Sequence, residues 1–224
     1  MATREPFAIG EWYHCFNRGV DKRVTFETER DYERFLQVLY LCNSVKPIHR
    51  SDLIDASTER VLKTPRSESL VEIGAFCLMP NHFHLLLKEV RPGGITTFMR
   101  KVGTAYTMYF NIKKERTGNL FMRPFRSKHV NDDLYFQHSI NYIHCNPAEL
   151  FEHSWKNGVV KNLNALQRKL VNYPYTSFGA YTNKNNILRA LLGEKVFDVA
   201  EPVSATKMLK EAQEYYLSIG KVTP

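Results

Sequence analysis

Two histidines separated by one apolar residue are the first candidate for chemistry in this sequence. His82 and His84 follow Pro80-Asn81, which turns the chain, and the residues on both sides of that turn suit strands. Alternate side chains of a strand share a face, so both imidazoles point the same way and Phe83 points to the opposite face. Two imidazoles placed like this could bind one metal ion. Because so short a pattern often occurs by chance, a pair of partly buried structural histidines is the alternative.

A tyrosine on the polar face of a helix is the second candidate. Asn131 is expected to be the N-cap of this helix, and Asn146-Pro147 to end it. At about 100° per residue, Tyr142 lies away from the apolar face and beside Asn146, one turn further on. A phenolate can attack a phosphodiester, although its pKa of about 10 means that it needs help. A cation held by two histidines could polarise that phosphate. The alternative is a tyrosine that makes a hydrogen bond at the rim of the core.

A first strand, a hairpin and several helices must position these groups. Residues 11–18 read as a strand, whose His14 either approaches the metal or is a structural histidine. Thr28 and Asp31 have the spacing of a capping box, which predicts the start of a helix. Residues 1–150 are expected to form the main domain, on which residues 151–224 pack as a C-terminal extension. A loop or insertion is predicted at 46–69, and further helices at about 95–114, 164–170, 185–192 and 205–217.

The long helix predicted at about 95–114 is amphipathic. Its apolar residues recur at the helical period and include Tyr106, Tyr109 and Ile112. Either tyrosine could be a nucleophile in principle. Their place in the apolar stripe favours packing in the core.

Positive charge is concentrated in one segment. Residues 91–130 contain nine basic residues and a single acid, Glu115, an excess equal to the net charge of +8 of the whole chain. Such clustering is typical of polyanion binding, and the arginines around Phe125 suit a nucleic-acid backbone and its bases. A solvated basic surface is the alternative. The residues predicted to contact nucleic acid are Arg18, Arg100, Lys101, Arg116, Arg123, Arg126 and Lys128.

Composition limits the other possibilities. No apolar run approaches the roughly 20 residues of a membrane helix, so no membrane partner is expected. The first residues lack the apolar core of a signal peptide. The four cysteines are far apart and form no Cys-x-x-Cys pair, which predicts free thiols in a reducing cytoplasm.

Two motifs together resemble a known family. Met79-Pro80-Asn81-His82-Phe83-His84-Leu85-Leu86 and Tyr142-Ile143-His144-Cys145-Asn146-Pro147 are similar to the motifs of the single-tyrosine HUH transposases. The closer resemblance is to the REP-associated tyrosine transposases among the insertion-sequence-like members. It spans residues 12–181 and includes three further stretches: residues 13–19, 118–126 and 173–178.

The resemblance implies roles for four residues. His82 and His84 match the metal-binding pair, Tyr142 the nucleophile and Asn146 a further metal ligand. The implied fold is a ferredoxin- or RRM-like α+β domain, with an antiparallel sheet, helices on one face and the catalytic helix against the histidine strand. A C-terminal helical extension completes it. The implied activity is nicking and joining of single-stranded DNA, often beside a hairpin, through a 5′-phosphotyrosine and a free 3′-hydroxyl. It would use Mg²⁺ or Mn²⁺ and act at the nucleoid.

Some questions stay open at the level of sequence. Ligand softness favours Mn²⁺ or Zn²⁺ over Mg²⁺ for imidazoles. Residues 148–155 are longer and more acidic than the family pattern, and residues 46–69 look enlarged, which bears on DNA specificity more than on chemistry. A non-catalytic nucleic-acid-binding module and a metal hydrolase that activates water are the rival functions. The nucleophile could act within a monomer, or on the partner's histidines in a homodimer.

Overall fold

Four strands pair into one antiparallel sheet. They are β1 (Trp12–Arg18), β2 (Val71–Met79), β3 (His82–Glu89) and β4 (Arg126–Val130), and their order in the sheet is β2-β3-β1-β4. Pro80 and Asn81 form the two-residue turn of the predicted β2–β3 hairpin. The computed structural model describes residues 6–53, 56–194, 196–199 and 204–219.

Helices alternate with these strands in the chain. Together with the strands they give the β-α-β-β-α-β order of a ferredoxin-like domain, so the predicted α+β class is confirmed. None of the helices in the described part of the chain is long and apolar enough to cross a membrane. The helices are α1 (Glu29–Cys42), α2 (Thr58–Leu62), α3 (Gly94–Lys113), α4 (Asp133–Cys145), α5 (Leu163–Val171), α6 (Phe178–Thr182), α7 (Val196–Val199) and α8 (Ala205–Ile219). Short 3-10 helices lie at Val20–Lys22, Arg50–Asp52, Asn146–Leu150, Trp155–Asn157 and Ile187–Leu191.

Helices α1 and α3 cover one face of the sheet. The β3 residues that alternate with the histidines point into this layer, where Phe83 contacts Phe35 of α1 at a ring-centroid distance of 4.9 Å. The predicted capping box at Thr28 and Asp31 is present at the start of α1. The predicted stripe of α3 is wrong at its end, because Ile112 is 78% exposed and Phe110 is buried in its place.

Helix α4 covers the opposite face, which carries the histidines, and α8 packs against α4. Most of α4 is buried because both the sheet and α8 pack against it. Asp132, not Asn131, is the N-cap of α4, and its carboxylate accepts a hydrogen bond of 2.7 Å from the Tyr135 N–H. The sequence predicted a polar face for α4. In the structure α8 covers a large part of that face.

Residues 175–177 pair with the outer edge of β2. The Leu78 N–H donates to the Tyr175 carbonyl at 2.9 Å, and the Ser177 N–H donates to the Phe76 carbonyl at 3.0 Å. This pairing protects part of a sheet edge that would otherwise present unpaired backbone groups. It also ties the C-terminal region to the hairpin that carries the histidines.

Candidate active site

The predicted metal ligands lie on the face of β3 that α4 covers. The imidazoles of His82 and His84 share this face because they are two residues apart in a strand. Their ring centroids are 5.1 Å apart and their planes are nearly perpendicular. Both line a cleft of about 400 Å³, and so does Tyr142. The structure thus brings together the two candidates for chemistry that are sixty residues apart in sequence.

The turn before β3 orients His82. Its Nδ1 lies 2.7 Å from the Asn81 side-chain oxygen, while the Asn81 amide group donates to the Lys22 carbonyl at 3.2 Å. Because the Asn81 side-chain oxygen can only accept, Nδ1 of His82 carries the hydrogen and Nε2 of His82 keeps a lone pair. Burial lowers the pKa of His82 to about 4, so the ring is neutral near pH 7. Its lone pair is therefore available to a ligand.

Tyr142 and Asn146 lie one helical turn apart, at the C-terminal end of α4. The Tyr142 ring stands nearly perpendicular to that of His84 at a centroid distance of 5.5 Å. Tyr142 is only 1% exposed. Burial raises the pKa of Tyr142, and the charge of Glu149 raises it further, against the opposing effect of the neighbouring Asn146 side chain. The phenol is therefore protonated at neutral pH.

The donor set fits a divalent cation. The side-chain oxygen of Asn146 faces Nε2 of His82 at 3.3 Å, so two atoms with lone pairs point at each other. The Nε2 atom of His84 is buried and has no hydrogen-bond partner among the described residues. Within the described ranges no three His, Cys, Asp or Glu side chains form a metal-binding group. Two imidazoles and an amide oxygen would leave the remaining positions to substrate or water oxygens, as Mg²⁺ sites usually do.

The cleft contains three residues that sequence reasoning missed. Glu149, His153 and Lys156 line it, and Lys156 is paired with Glu149 at 2.7 Å. The intervals from Tyr142 to Asn146 and on to these three residues are four, three, four and three positions. This helical period continues beyond Pro147 and is the signal that could have identified the three residues. The chain can continue as a 3-10 helix here because Pro147 occupies an early helical position, where no backbone donor is needed.

His14 lies behind the cleft and does not line it. Its Nε2 is 2.8 Å from Nδ1 of His84, and its side chain is fully buried. Burial, together with the charge of Lys128, lowers the pKa of His14 to about 3. The sequence left this residue undecided, and the structure places it against a predicted metal ligand.

The predicted nucleic-acid contacts occupy several places. Arg18 lines the cleft, whereas Arg100 and Arg123 line a separate groove of about 520 Å³ between α3 and the segment before β4. Lys101 donates to the Ser44 carbonyl at 2.8 Å. Arg116 donates to the side chain of Asn111 and to a backbone carbonyl in its own turn. The last two side chains therefore have partners within the fold.

Two further basic residues lie on β4. Arg126 pairs with Phe16 in the register, and Lys128 pairs with His14, so both belong to the sheet face that carries the histidines. The Lys128 ammonium lies 5.1 Å from the centroid of the Tyr135 ring. The basic segment is thus divided between the histidine side of the sheet and the groove beside α3.

Comparison with known proteins identifies the family. The model described as "Transposase IS200 like" matches residues 32–146, just over half of the chain, and the match includes both cleft histidines, Tyr142 and Asn146. This chain belongs to the IS200-like transposase family. A solved structure of a REP-associated tyrosine transposase bound to a REP hairpin has the same fold, with a TM-score of 0.54 and 15% identity. The alignment covers 91% of this chain and 99% of that one. A comparison with curated proteins finds no match.

Proposed function

We propose that this transposase nicks and joins single-stranded DNA by transesterification, with Tyr142 as the nucleophile. The observation that carries the proposal is the cleft itself. The Tyr142 phenol and two neutral imidazoles of one chain line it, and the Asn146 side-chain oxygen lies 3.3 Å from Nε2 of His82. Membership of the IS200-like family supports DNA as the substrate. The observed geometry supports a covalent route through the tyrosine.

The proposed reaction exchanges one phosphodiester for another. The Tyr142 oxygen bonds to phosphorus as its proton leaves, and the bond from phosphorus to the 3′ oxygen breaks. That oxygen takes up a proton and becomes a free 3′-hydroxyl, while the 5′ phosphate stays on the tyrosine. Because the bond energy is kept in the phosphotyrosine link, attack by a 3′-hydroxyl can reverse the step and join strands.

His82, His84 and Asn146 are the residues that would hold the metal ion. A bound Mg²⁺ or Mn²⁺ would polarise the scissile phosphate and help to orient it for in-line attack. Imidazole ligands favour Mn²⁺ of these two. The buried neutral histidines contribute lone pairs without a competing proton near pH 7.

The proposed substrate is a single strand next to a hairpin. Arg18 would meet its backbone inside the cleft, and Arg100 and Arg123 would meet it along the neighbouring groove. Lys101, Arg116, Arg126 and Lys128 stay predicted contacts. In this proposal residues 1–150 form the catalytic domain and residues 151–224 an extension packed on it.

The arrangement within one chain favours action in cis. Tyr142 contacts His84 of its own chain, so no partner subunit is needed to complete the site. Mixing the Tyr142→Phe and His84→Ala proteins tests this point. In cis action, the mixture forms no covalent adduct. Recovery of adduct in the mixture would mean that the tyrosine acts in trans within a homodimer.

Covalent capture of DNA tests the proposal. A library of hairpin oligonucleotides with randomised single-stranded flanks is labelled at the 3′ end, because that fragment stays on the tyrosine. With Mn²⁺, the wild type should give a labelled protein band on a denaturing gel, and Tyr142→Phe should give none. Tyr181→Phe is the matched control, since its hydroxyl bonds the Gly74 carbonyl outside the cleft.

The other outcomes identify the rival functions. Binding without any adduct or cleavage by the wild type would indicate a nucleic-acid-binding module. Cleavage that survives Tyr142→Phe would indicate a metal hydrolase that uses water. An adduct that survives the substitution would show that another residue is the nucleophile.

A further inference from the structure

We propose that His14 and Tyr215 fix the tautomer of His84, so that the Nε2 atom of His84 presents a lone pair to the metal. The inference rests on the metal site of the proposed function. Its basis is a buried chain of hydrogen bonds that runs from β3 through β1 to α8. We call this chain the histidine relay; its members are His84, His14 and Tyr215.

The members of the histidine relay are in direct contact. His84 Nδ1 lies 2.8 Å from His14 Nε2, and His14 Nδ1 lies 2.9 Å from the Tyr215 hydroxyl. No member is more than 1% exposed, so water does not compete for these bonds.

The cleft end of the relay sets its direction. A hydrogen on His84 Nε2 would be a buried N–H without an acceptor among the described residues, which is unfavourable. His84 therefore carries its hydrogen on Nδ1 and donates it to His14 Nε2, so the neutral His14 ring carries its own hydrogen on Nδ1 and donates it to the Tyr215 hydroxyl oxygen.

This direction determines which nitrogen of each imidazole keeps a lone pair. With its hydrogen on Nδ1, the neutral His14 ring has its lone pair on Nε2 and accepts from His84 Nδ1–H. The lone pair of His84 is thereby placed on Nε2, the atom that has no partner among the described residues. The opposite direction would leave a buried N–H there without an acceptor, which is unfavourable. A metal-binding histidine usually donates its other ring N–H in this way.

The relay gives the C-terminal helix a role in the site. Tyr215 belongs to α8, and both it and His14 lie outside residues 32–146, which the family model matches. The extension would therefore act on the metal site through His14, about 200 residues away in sequence. His14 and Tyr215 are positioning residues, because they act through His84.

Tyr215→Phe is the test, since it removes only the hydroxyl. His14 Nδ1–H then faces a buried apolar ring, whereas His84 lines the cleft, where solvent can accept from Nε2–H. The hydrogen is therefore expected to move to His14 Nε2 and the His84 tautomer to reverse. Long-range ¹H–¹⁵N correlation spectra of the metal-free protein should show His84 Nε2 unprotonated in the wild type and protonated in the variant. Calorimetry with Mn²⁺ should show affinity falling by about tenfold or more.

Two further variants complete the design. Tyr106→Phe also removes a buried tyrosine hydroxyl, one that donates to the Thr25 carbonyl on the other face of the sheet. It should leave the His84 tautomer and the Mn²⁺ affinity unchanged. His14→Leu removes the acceptor of the His84 Nδ1–H, so it should reverse the tautomer even if Tyr215→Phe does not fold.

Each outcome decides the proposal. An unchanged His84 tautomer in both Tyr215→Phe and His14→Leu overturns it, even if the Mn²⁺ affinity falls, because that loss would be structural. A reversed tautomer with unchanged affinity overturns the link to the metal. If the wild type binds no Mn²⁺, the proposed metal site fails. The spectra of the metal-free protein still test the relay by itself.

Discussion

Replacing Asp31 by asparagine should lower the free energy of unfolding by about 3 kcal/mol. The Asp31 carboxylate is fully buried at the start of α1, and one of its oxygens accepts from the backbone N–H groups of Glu27 and Thr28. The other accepts from the Tyr109 hydroxyl at 2.8 Å, and Lys113 bonds both oxygens at 2.7 Å. These contacts hold α1 to α3, the layer on which the histidine strand rests.

The expected magnitude follows from what asparagine can replace. Its oxygen can keep the two backbone hydrogen bonds, but its amide group then faces the donors of Tyr109 and Lys113. Removing one partner of a buried ion pair costs about 3–5 kcal/mol, and the lower end applies because Lys113 is 29% exposed. A double-mutant cycle with Lys113→Met should return a coupling of about 1–3 kcal/mol.

The effect should depend on pH in a defined direction. Burial by itself would raise the pKa of Asp31, but the hydrogen bonds from Lys113, Tyr109 and the two backbone N–H groups outweigh it and lower the pKa. A lowered pKa means that the unfolded chain binds the proton more readily. The stabilisation is therefore present above the unfolded value of about 3.9 and is lost as the pH falls through the folded pKa.

Urea unfolding followed by tryptophan fluorescence is the assay, at pH 7 and in steps below pH 5. The difference between wild type and Asp31→Asn should shrink at the acid end. Glu59→Gln is the control, because that exposed carboxylate is paired with Lys63 on the surface of α2 and its loss should have no measurable effect. A loss below about 1 kcal/mol at pH 7 would refute the reasoning, as would a loss that stays constant down to pH 3.

The remaining predictions concern the groove and two glycines of α3. Arg123→Ala should reduce the slope of log affinity for single-stranded DNA against log salt by about 0.7, measured by fluorescence anisotropy, and Arg116→Ala by less, because its guanidinium is held in its own turn. Equal slopes for wild type and Arg123→Ala would show that Arg123 does not contact the DNA backbone. Gly94→Ala should destabilise the protein strongly in urea unfolding, since its Cβ would lie 2.2 Å from the Leu70 carbonyl oxygen. Gly103→Ala, with open space at its Cβ, should instead stabilise α3 by about 0.5–1 kcal/mol, and the same sign for both glycines would contradict this account.

The local parts of the site could be predicted because the regular repeat of a strand or a helix determines them. The alternation of a strand places His82 and His84 on one face, and the turn of a helix places Asn146 beside Tyr142. The capping box of α1 and the β2–β3 hairpin depend on residues only a few positions apart. The fold class and the family could be inferred from these local patterns and their resemblance, and both are confirmed.

Other features depended on packing between distant segments. Sequence periodicity showed that Tyr142 lies off the apolar face of α4, but not that α8 covers that face and buries the phenol. Periodicity also could not predict the contact between His14 and His84, because that contact depends on the pairing of β1 with β3 across 70 residues.

Sequence alone therefore determined which residues share a strand face or a helix turn, since a few consecutive residues set that geometry. Tertiary structure decided which of those faces meet and which are buried. It also separated the basic residues that line the cleft and the groove from those that bond within the fold. The physical reason is that burial and hydrogen-bond partners depend on how distant segments pack.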